Sequence, residues 1–172
     1  YKDKQPSVHY KFVNKKDDGL GMPLPQGKIG FYANDDNGAL QFIGNDNVAD
    51  TAEGQKIDVT IGKAFDIYAK GEIKKVTEIS RNSLKQNQQQ NCSTIAATYH
   101  YDAVYNVTNK GGKAANVVLR QPLNGKARIV DESLKGQNGE GNSYEWKFEL
   151  KSGESKDWTA QVENVIETRE CN

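Results

Sequence analysis

Apolar and polar positions alternate with a period of two through most apolar segments of this chain, the signature of strands that show one face to a core and the other to water. Val8, Tyr10 and Phe12 alternate with His9 and Lys11 and end at the polar run Asn14 to Gly19. In Lys28 to Asn34, Ile29 and Phe31 share a face. Asp35-Asp36-Asn37-Gly38 then supplies residues that tolerate positive φ, and Leu40 and Phe42 return, which predicts a hairpin. Ile57, Val59 and Ile61 alternate with Lys56, Asp58 and Thr60 up to Gly62, which marks a bulge or bend before the segment Ala64 to Ala69. Thr94 to Thr108 is the longest strand candidate, with Tyr99, Tyr101, Ala103, Tyr105 and Val107 on one face and His100, Asp102, Val104 and Asn106 on the other. Ala115 to Arg120 and Ala127 to Val130 give two shorter strands. Tyr144, Trp146, Phe148 and Leu150 alternate with Glu145, Lys147 and Glu149, and after a turn at Lys151 to Glu154 a last strand carries Trp158, Ala160 and Val162.

Other stretches read less directly. In Glu72 to Arg81 the apolar residues Ile73, Val76 and Ile79 recur at threes, a helical spacing, while Thr77 and the β-branched content favour a strand, which is the assignment taken. Asn82 to Asn91 holds one apolar residue, Leu84, and predicts a mobile hairpin loop. Pro23 and Pro25 fix an extended loop between Gly19 and Gly27, Gly44 to Gly54 is a loop rich in Asn and Asp, and Gly136 to Gly141 is a flexible loop. No segment has the pattern of an amphipathic helix. Strands separated by turn signals every ~8 to 12 residues predict an all-β fold, a two-sheet antiparallel β-sandwich that is immunoglobulin-like in part. A single domain over residues 1–172 is the default for this length, with two packed lobes, 1–70 and 71–172, as the alternative division.

Composition narrows the function classes. Hydrophobic residues make up 35% and mean hydropathy is −0.82, as expected for thin sheets with one wet face. Lys plus Arg and Asp plus Glu both total 23, so no net field exists to hold nucleic acid or an anionic bilayer. The basic residues Lys70, Lys74, Lys75, Arg81 and Lys85 are interleaved with Glu72 and Glu78, as on a solvated strand face. No apolar run has the length of a membrane span and no signal peptide is present, while a start at Tyr1 suggests a processed protein or an excised domain. Cys92 and Cys171 are the only cysteines. In a polar, turn-rich chain a pair reads more naturally as a disulfide than as a metal site, the competing reading being two free thiols of a cytosolic protein.

Three ordered motifs carry a family resemblance: Gly21-x-Pro23-Leu24-Pro25-x-Gly27-Lys28-Ile29-x-x-Tyr32, then Gly38-x-x-x-Phe42-Ile43-Gly44, then Gly62-x-Ala64-Phe65-Asp66. With these the chain resembles the uncharacterised bacterial domain found at the C-terminus of mucoidy-inhibitor-like proteins and in related exported proteins. The resemblance runs from about Tyr10 to Ile67, and Tyr105 to Asn109 and Trp146 to Val162 are similar to the family's later strands. It implies a β architecture and an exported setting, periplasmic, cell-surface or secreted. It brings no catalytic residues, and it supports the Cys92 to Cys171 disulfide through the oxidising compartment.

Candidate chemistry is sparse. His9 and His100 could serve a Ser-His-Asp arrangement, but no Gly-x-Ser-x-Gly elbow presents a nucleophile, and both sit opposite the aromatic face of their strands. Asn34 to Gly38 fails the calcium-loop pattern because Ala33 stands where a ligand is needed, and Asn45, Asp46, Asn47 and Asp50 are ordinary turn residues. Glu145, Glu149, Glu163 and Glu167 read as the wet faces of terminal strands, with no cleft to pair them for glycoside hydrolysis. Tyr99, Tyr101 and Tyr105 are either core or a stacking platform for a sugar ring, and a basic surround for RNA is missing. The expectation is a non-catalytic structural or protein-interaction module of an exported bacterial protein, needing no cofactor or metal, with a protein or cell-envelope partner. The alternative is a carbohydrate- or ligand-binding sandwich using the tyrosines.

Overall fold

A computed structural model describes residues 5–35, 37–87 and 92–171, and the chain is nearly all β with antiparallel pairing throughout. It gathers into two compact units, Gln5–Phe65 and the residues from Asp66 onward. Asp36 of the predicted turn lies outside the described residues, as do residues 88–91 of the predicted polar loop.

The first unit holds β1 (Ser7–Val13), β2 (Gly27–Asn34), β3 (Leu40–Val48) and β4 (Lys56–Lys63), paired β1 with β4 and β2 with β3. Ile57 and Val59 on β4 are buried, and Tyr10 of β1 meets the Phe31 ring of β2. The bulge predicted near Gly62 is present, since Val8 faces Gly62 but His9 faces Thr60. The turn between β2 and β3 is fixed by Asp35, whose Oδ1 accepts the N–H groups of Asn37 and Ala39, and Gly38 has φ +81°. The Pro23 to Pro25 loop is anchored at Leu24, which exchanges both backbone hydrogen bonds with Thr51. Fully buried Asn14 completes it, donating Nδ2 to the carbonyls of Met22, Thr51 and Ala52 and accepting Gly21 N–H on Oδ1.

The second unit is a sandwich. Its four-stranded sheet has the order β5 (Ile67–Asn87), β6 (Cys92–Asn109), β11 (Ser155–Cys171) and β8 (Arg128–Glu132). Its three-stranded sheet has the order β7 (Ala115–Pro122), β10 (Ser143–Leu150) and β9 (Gln137–Asn138). The inner faces meet through aromatics: Tyr105 of β6 stacks on Trp158 of β11 at 5.2 Å, and Trp146 of β10 lies 5.1 Å from Tyr105 and 5.8 Å from Trp158. Trp146, Leu150 and Val107 are 0% exposed. Each such side chain contributes about 1.5 to 3 kcal/mol or more of burial.

Four expectations are corrected. Residues 44–48 of the predicted Gly44 to Gly54 loop are strand, the end of β3 paired with β2. Residues 82–87 of the supposed mobile loop are strand, the end of β5 paired with β6 as far as Asn87 opposite Cys92. A polar segment can be a strand here because its partner supplies the whole ladder and no buried face is required of it. The Gly136 to Gly141 loop holds β9, and Gly136 N–H donates to Glu132. Glu145 is not on a wet face: its side chain is 5% exposed, between Arg120 and Lys147, because β10 is the central strand of its sheet.

The threefold spacing in Glu72 to Arg81 now has a cause. Register shifts leave Lys74, Ile79 and Leu84 as extra residues on β5, so that Ile73 and Val76 face the same side, opposite Ala103 and Tyr101. Repeated bulges and Lys residues also blunt β5 as a sheet edge.

Candidate functional site

β5, β6 and β11 are much longer than the sheet that covers them, and the site lies where the cover stops. Along one face of β6 the residues in order are Val107, Tyr105, Ala103, Tyr101, Tyr99 and Ala97. Tyr105 belongs to the core, at 6% exposed, its ring over Gly71 and against Trp158 and its hydroxyl donating to Gln121 Oε1 at 3.1 Å. Gly71 faces Tyr105 in the register, and a Cβ there would lie 3.2 Å from the ring, a tight approach that glycine avoids. Ala103 comes next, between Ile73 and Ala160, followed by Tyr101 between Val76 and Val162.

Small Ala103 between two tyrosines makes a depression. A groove of about 230 Å³ forms over it, floored by Ile73, Ala103 and Val162 and walled by Tyr101 and Leu123. Gln121, Asn124 and Asn164 add polar groups to its lining. Gln121 is committed at both ends, since its Nε2 donates to the Pro122 carbonyl. Among the described residues the side-chain amides of Asn124 and Asn164 and the Tyr101 hydroxyl make no hydrogen bond.

Tyr99 continues the same face with its ring 6.4 Å from that of Tyr101. Its hydroxyl donates to Glu78 Oε2 at 3.0 Å, and Glu78 is held by both Nε and Nη2 of Arg81. The Glu78 carboxylate beside it pushes the Tyr99 phenol up, and the Arg81 hydrogen bonds hold the Glu78 carboxyl below its ordinary value.

Arg128 lies 2.7 Å from Glu163, and Lys126 lies 2.6 Å from Glu167. Glu163 also takes His100 Nε2 at 3.1 Å, and the hydrogen bonds from His100 and then Arg128 hold its carboxyl below the usual carboxylate range. This triad sits on the opposite face of the sheet from the tyrosines, as the alternation of β6 predicts. In the first unit His9 Nδ1 lies 2.8 Å from Asp58, which Lys11 also contacts. Neither histidine is hydrogen-bonded to a hydroxyl or thiol among the described residues, and no group of three or more His, Cys, Asp or Glu side chains gathers there.

The far end of the long strands is closed covalently. Cys92 and Cys171 face each other directly in the β6–β11 register and form a disulfide with Cα atoms 4.0 Å apart. Among the described residues no helix is long and apolar enough to cross a membrane.

Of the three tyrosines singled out in the sequence, Tyr101 lines the groove, Tyr99 extends its face and Tyr105 is spent on the core. Asn164 was missed, although its position was readable: it interrupts the apolar face that Trp158, Ala160, Val162 and Ile166 otherwise occupy. Asn124 carried no signal beyond that of a turn. No protein-family model, curated protein or solved structure matches this chain.

Proposed function

We propose that this chain is a non-catalytic binding module of an exported bacterial protein, holding its ligand on the inner face of the disulfide-closed strands at the Tyr101 groove. The observation that carries this reading is the continuation of the core's apolar face past its cover, with an aromatic side chain and two uncommitted amides around it. A face of this kind on an ordered sheet is pre-organised for binding, because the strands rather than the ligand hold the side chains in place. The disulfide supports the exported setting, since such bonds persist in oxidising compartments. A non-catalytic role is favoured because neither histidine is hydrogen-bonded to a hydroxyl or thiol nucleophile among the described residues.

Small ring-shaped probes test the reading. Dioxane, cyclohexanol and phenol titrated into isotope-labelled protein should shift the side-chain amide resonances of Asn124 and Asn164 and the ring of Tyr101, leaving Thr77 and His100 unmoved. If no probe shifts the groove resonances, the groove is not a binding site and the proposal is wrong.

A further inference from the structure

We infer that the ligand of this groove is a neutral carbohydrate, one sugar ring seated on Tyr101 and the chain continuing over Tyr99. The inference rests on the binding-module reading and adds the ligand class and a second subsite.

Charge decides the first step. The floor is apolar, and among the described residues no Lys or Arg lines the groove; the one charged residue in its lining is Glu72. Glu72 faces Val104 in the register, on the other side of the sheet from Tyr101, and its carboxylate contacts Lys74. An anionic or cationic ligand would surrender hydration and gain no counter-charge, so the site favours a neutral one.

Hydrogen-bonding capacity decides the second. The amides of Asn124 and Asn164 each offer two donor hydrogens and a carbonyl acceptor, and the Tyr101 hydroxyl offers both functions. A ligand that satisfies them must donate as well as accept. Adjacent sugar hydroxyls do both, and the C–H face of the same ring lies flat on a phenol. A proline-rich peptide, the other neutral ligand that stacks on aromatic rings, has carbonyl acceptors but no amide donors along its prolines and would leave the amide carbonyls unpaired.

Size and layout agree. The groove, about 230 Å³, is below the range of roughly 300 to 1,000 Å³ of drug-sized pockets and suits a single ring. Beyond it lies Tyr99, whose hydroxyl donates to Glu78 and whose ring is 6.4 Å from that of Tyr101. An oligosaccharide longer than one unit has a second aromatic surface to meet there.

The test is titration of cellohexaose, maltohexaose and chitohexaose, read on the Asn124 and Asn164 amide resonances, with decaproline and polygalacturonate alongside. At least one neutral saccharide should shift both amides. Its Kd should rise about tenfold in Tyr101→Ala and about fivefold in Asn164→Ala. Tyr101→Phe should keep most of the affinity, Tyr99→Ala should weaken the hexaose but not the matching monosaccharide, and His100→Gln should change nothing. If decaproline or polygalacturonate shifts the amides and no neutral saccharide does, the carbohydrate assignment is overturned while the binding-module reading stands. If none of these binds and dioxane, cyclohexanol and phenol also leave the groove unmoved, both fall. Amide spectra of the variants that match the wild type outside the groove confirm that each has folded.

Discussion

Glu132 accepts the indole N–H of Trp146 on Oε2 at 3.0 Å, joining the end of β8 in one sheet to the middle of β10 in the other. The same carboxylate takes the Tyr144 hydroxyl at 2.9 Å and Gly136 N–H at 3.0 Å on Oε1. One buried anion thus fixes the spacing of the two sheets and orders the Gly136 to Gly141 segment. Trp146 at its centre has no exposed surface. Trp146→Ala should cost about 3 to 5 kcal/mol, measured by urea unfolding followed by far-ultraviolet circular dichroism. An unchanged midpoint would mean that this aromatic cluster is not the core.

Acid should loosen the same sandwich. Burial alone would push the Glu132 carboxyl up, but hydrogen bonds from Gly136, Tyr144 and Trp146, with the nearby Lys135 charge, hold it below its ordinary value. The Glu145 carboxyl is lowered by the Lys147 and Arg120 hydrogen bonds. A carboxylate with a depressed folded pKa adds stability that is fully present above the unfolded value of about 4.3 and is lost as pH falls through the folded value. Stability should therefore drop steeply on acidification below about pH 4.3. Glu132→Gln and Glu145→Gln should each be less stable at pH 7 and show a flatter fall. Parallel pH curves for wild type and both variants would contradict this.

Asn109 closes the end of β6. Its Nδ2 reaches the carbonyls of Lys113, Leu150 and Lys151, and its Oδ1 accepts Gly111 N–H, with 1% of the residue exposed. Asn109→Ala strands those groups, at about 1 to 3 kcal/mol for each buried polar group left unpaired, so a total loss of at least about 3 kcal/mol is expected. Both tryptophans belong to the unit from Asp66 onward, so tryptophan fluorescence reports this unfolding. Asn14→Ala, the matching change in the Gln5–Phe65 unit, should be read from the ring resonances of Tyr10 and Tyr32. A loss below about 1 kcal/mol for Asn109→Ala would show that water replaces the amide without penalty.

The disulfide closes a separation of 79 residues. In the chain-entropy account its loss costs roughly 4 kcal/mol, reduced where the unfolded chain keeps structure. Cys92→Ser with Cys171→Ser should lower the urea midpoint accordingly. Thiol counting on denatured, unreduced protein should find none free, and two free thiols would refute the bond and weaken the exported assignment.

Residues 82–87 should behave as strand. Their β6-facing amides should exchange more slowly than those of Gly125 and Lys126, and reduction of Cys92–Cys171 should speed them first, because the bond sits at that end of the strands. Equal exchange rates before and after reduction would separate the two.

The periodicity of Thr94 to Thr108 and Tyr144 to Leu150 was enough to fix strands and their inner faces, because a strand places alternate side chains on opposite sides whatever it meets later. Two cysteines in a polar chain likewise pointed to a bond. Tertiary structure decided the rest. Residues 82–87 became strand through the ladder offered by β6, a backbone interaction that leaves no mark on side-chain polarity. The threes in Ile73, Val76 and Ile79 came from bulges, which depend on a partner strand. Glu145 was buried because β10 became central, a fact of strand order. The division among the tyrosines followed from where the second sheet ends: Tyr105 lies beneath it and Tyr101 beyond it, and identical residues four positions apart on one strand face carry no local signal of which of them a distant strand will cover.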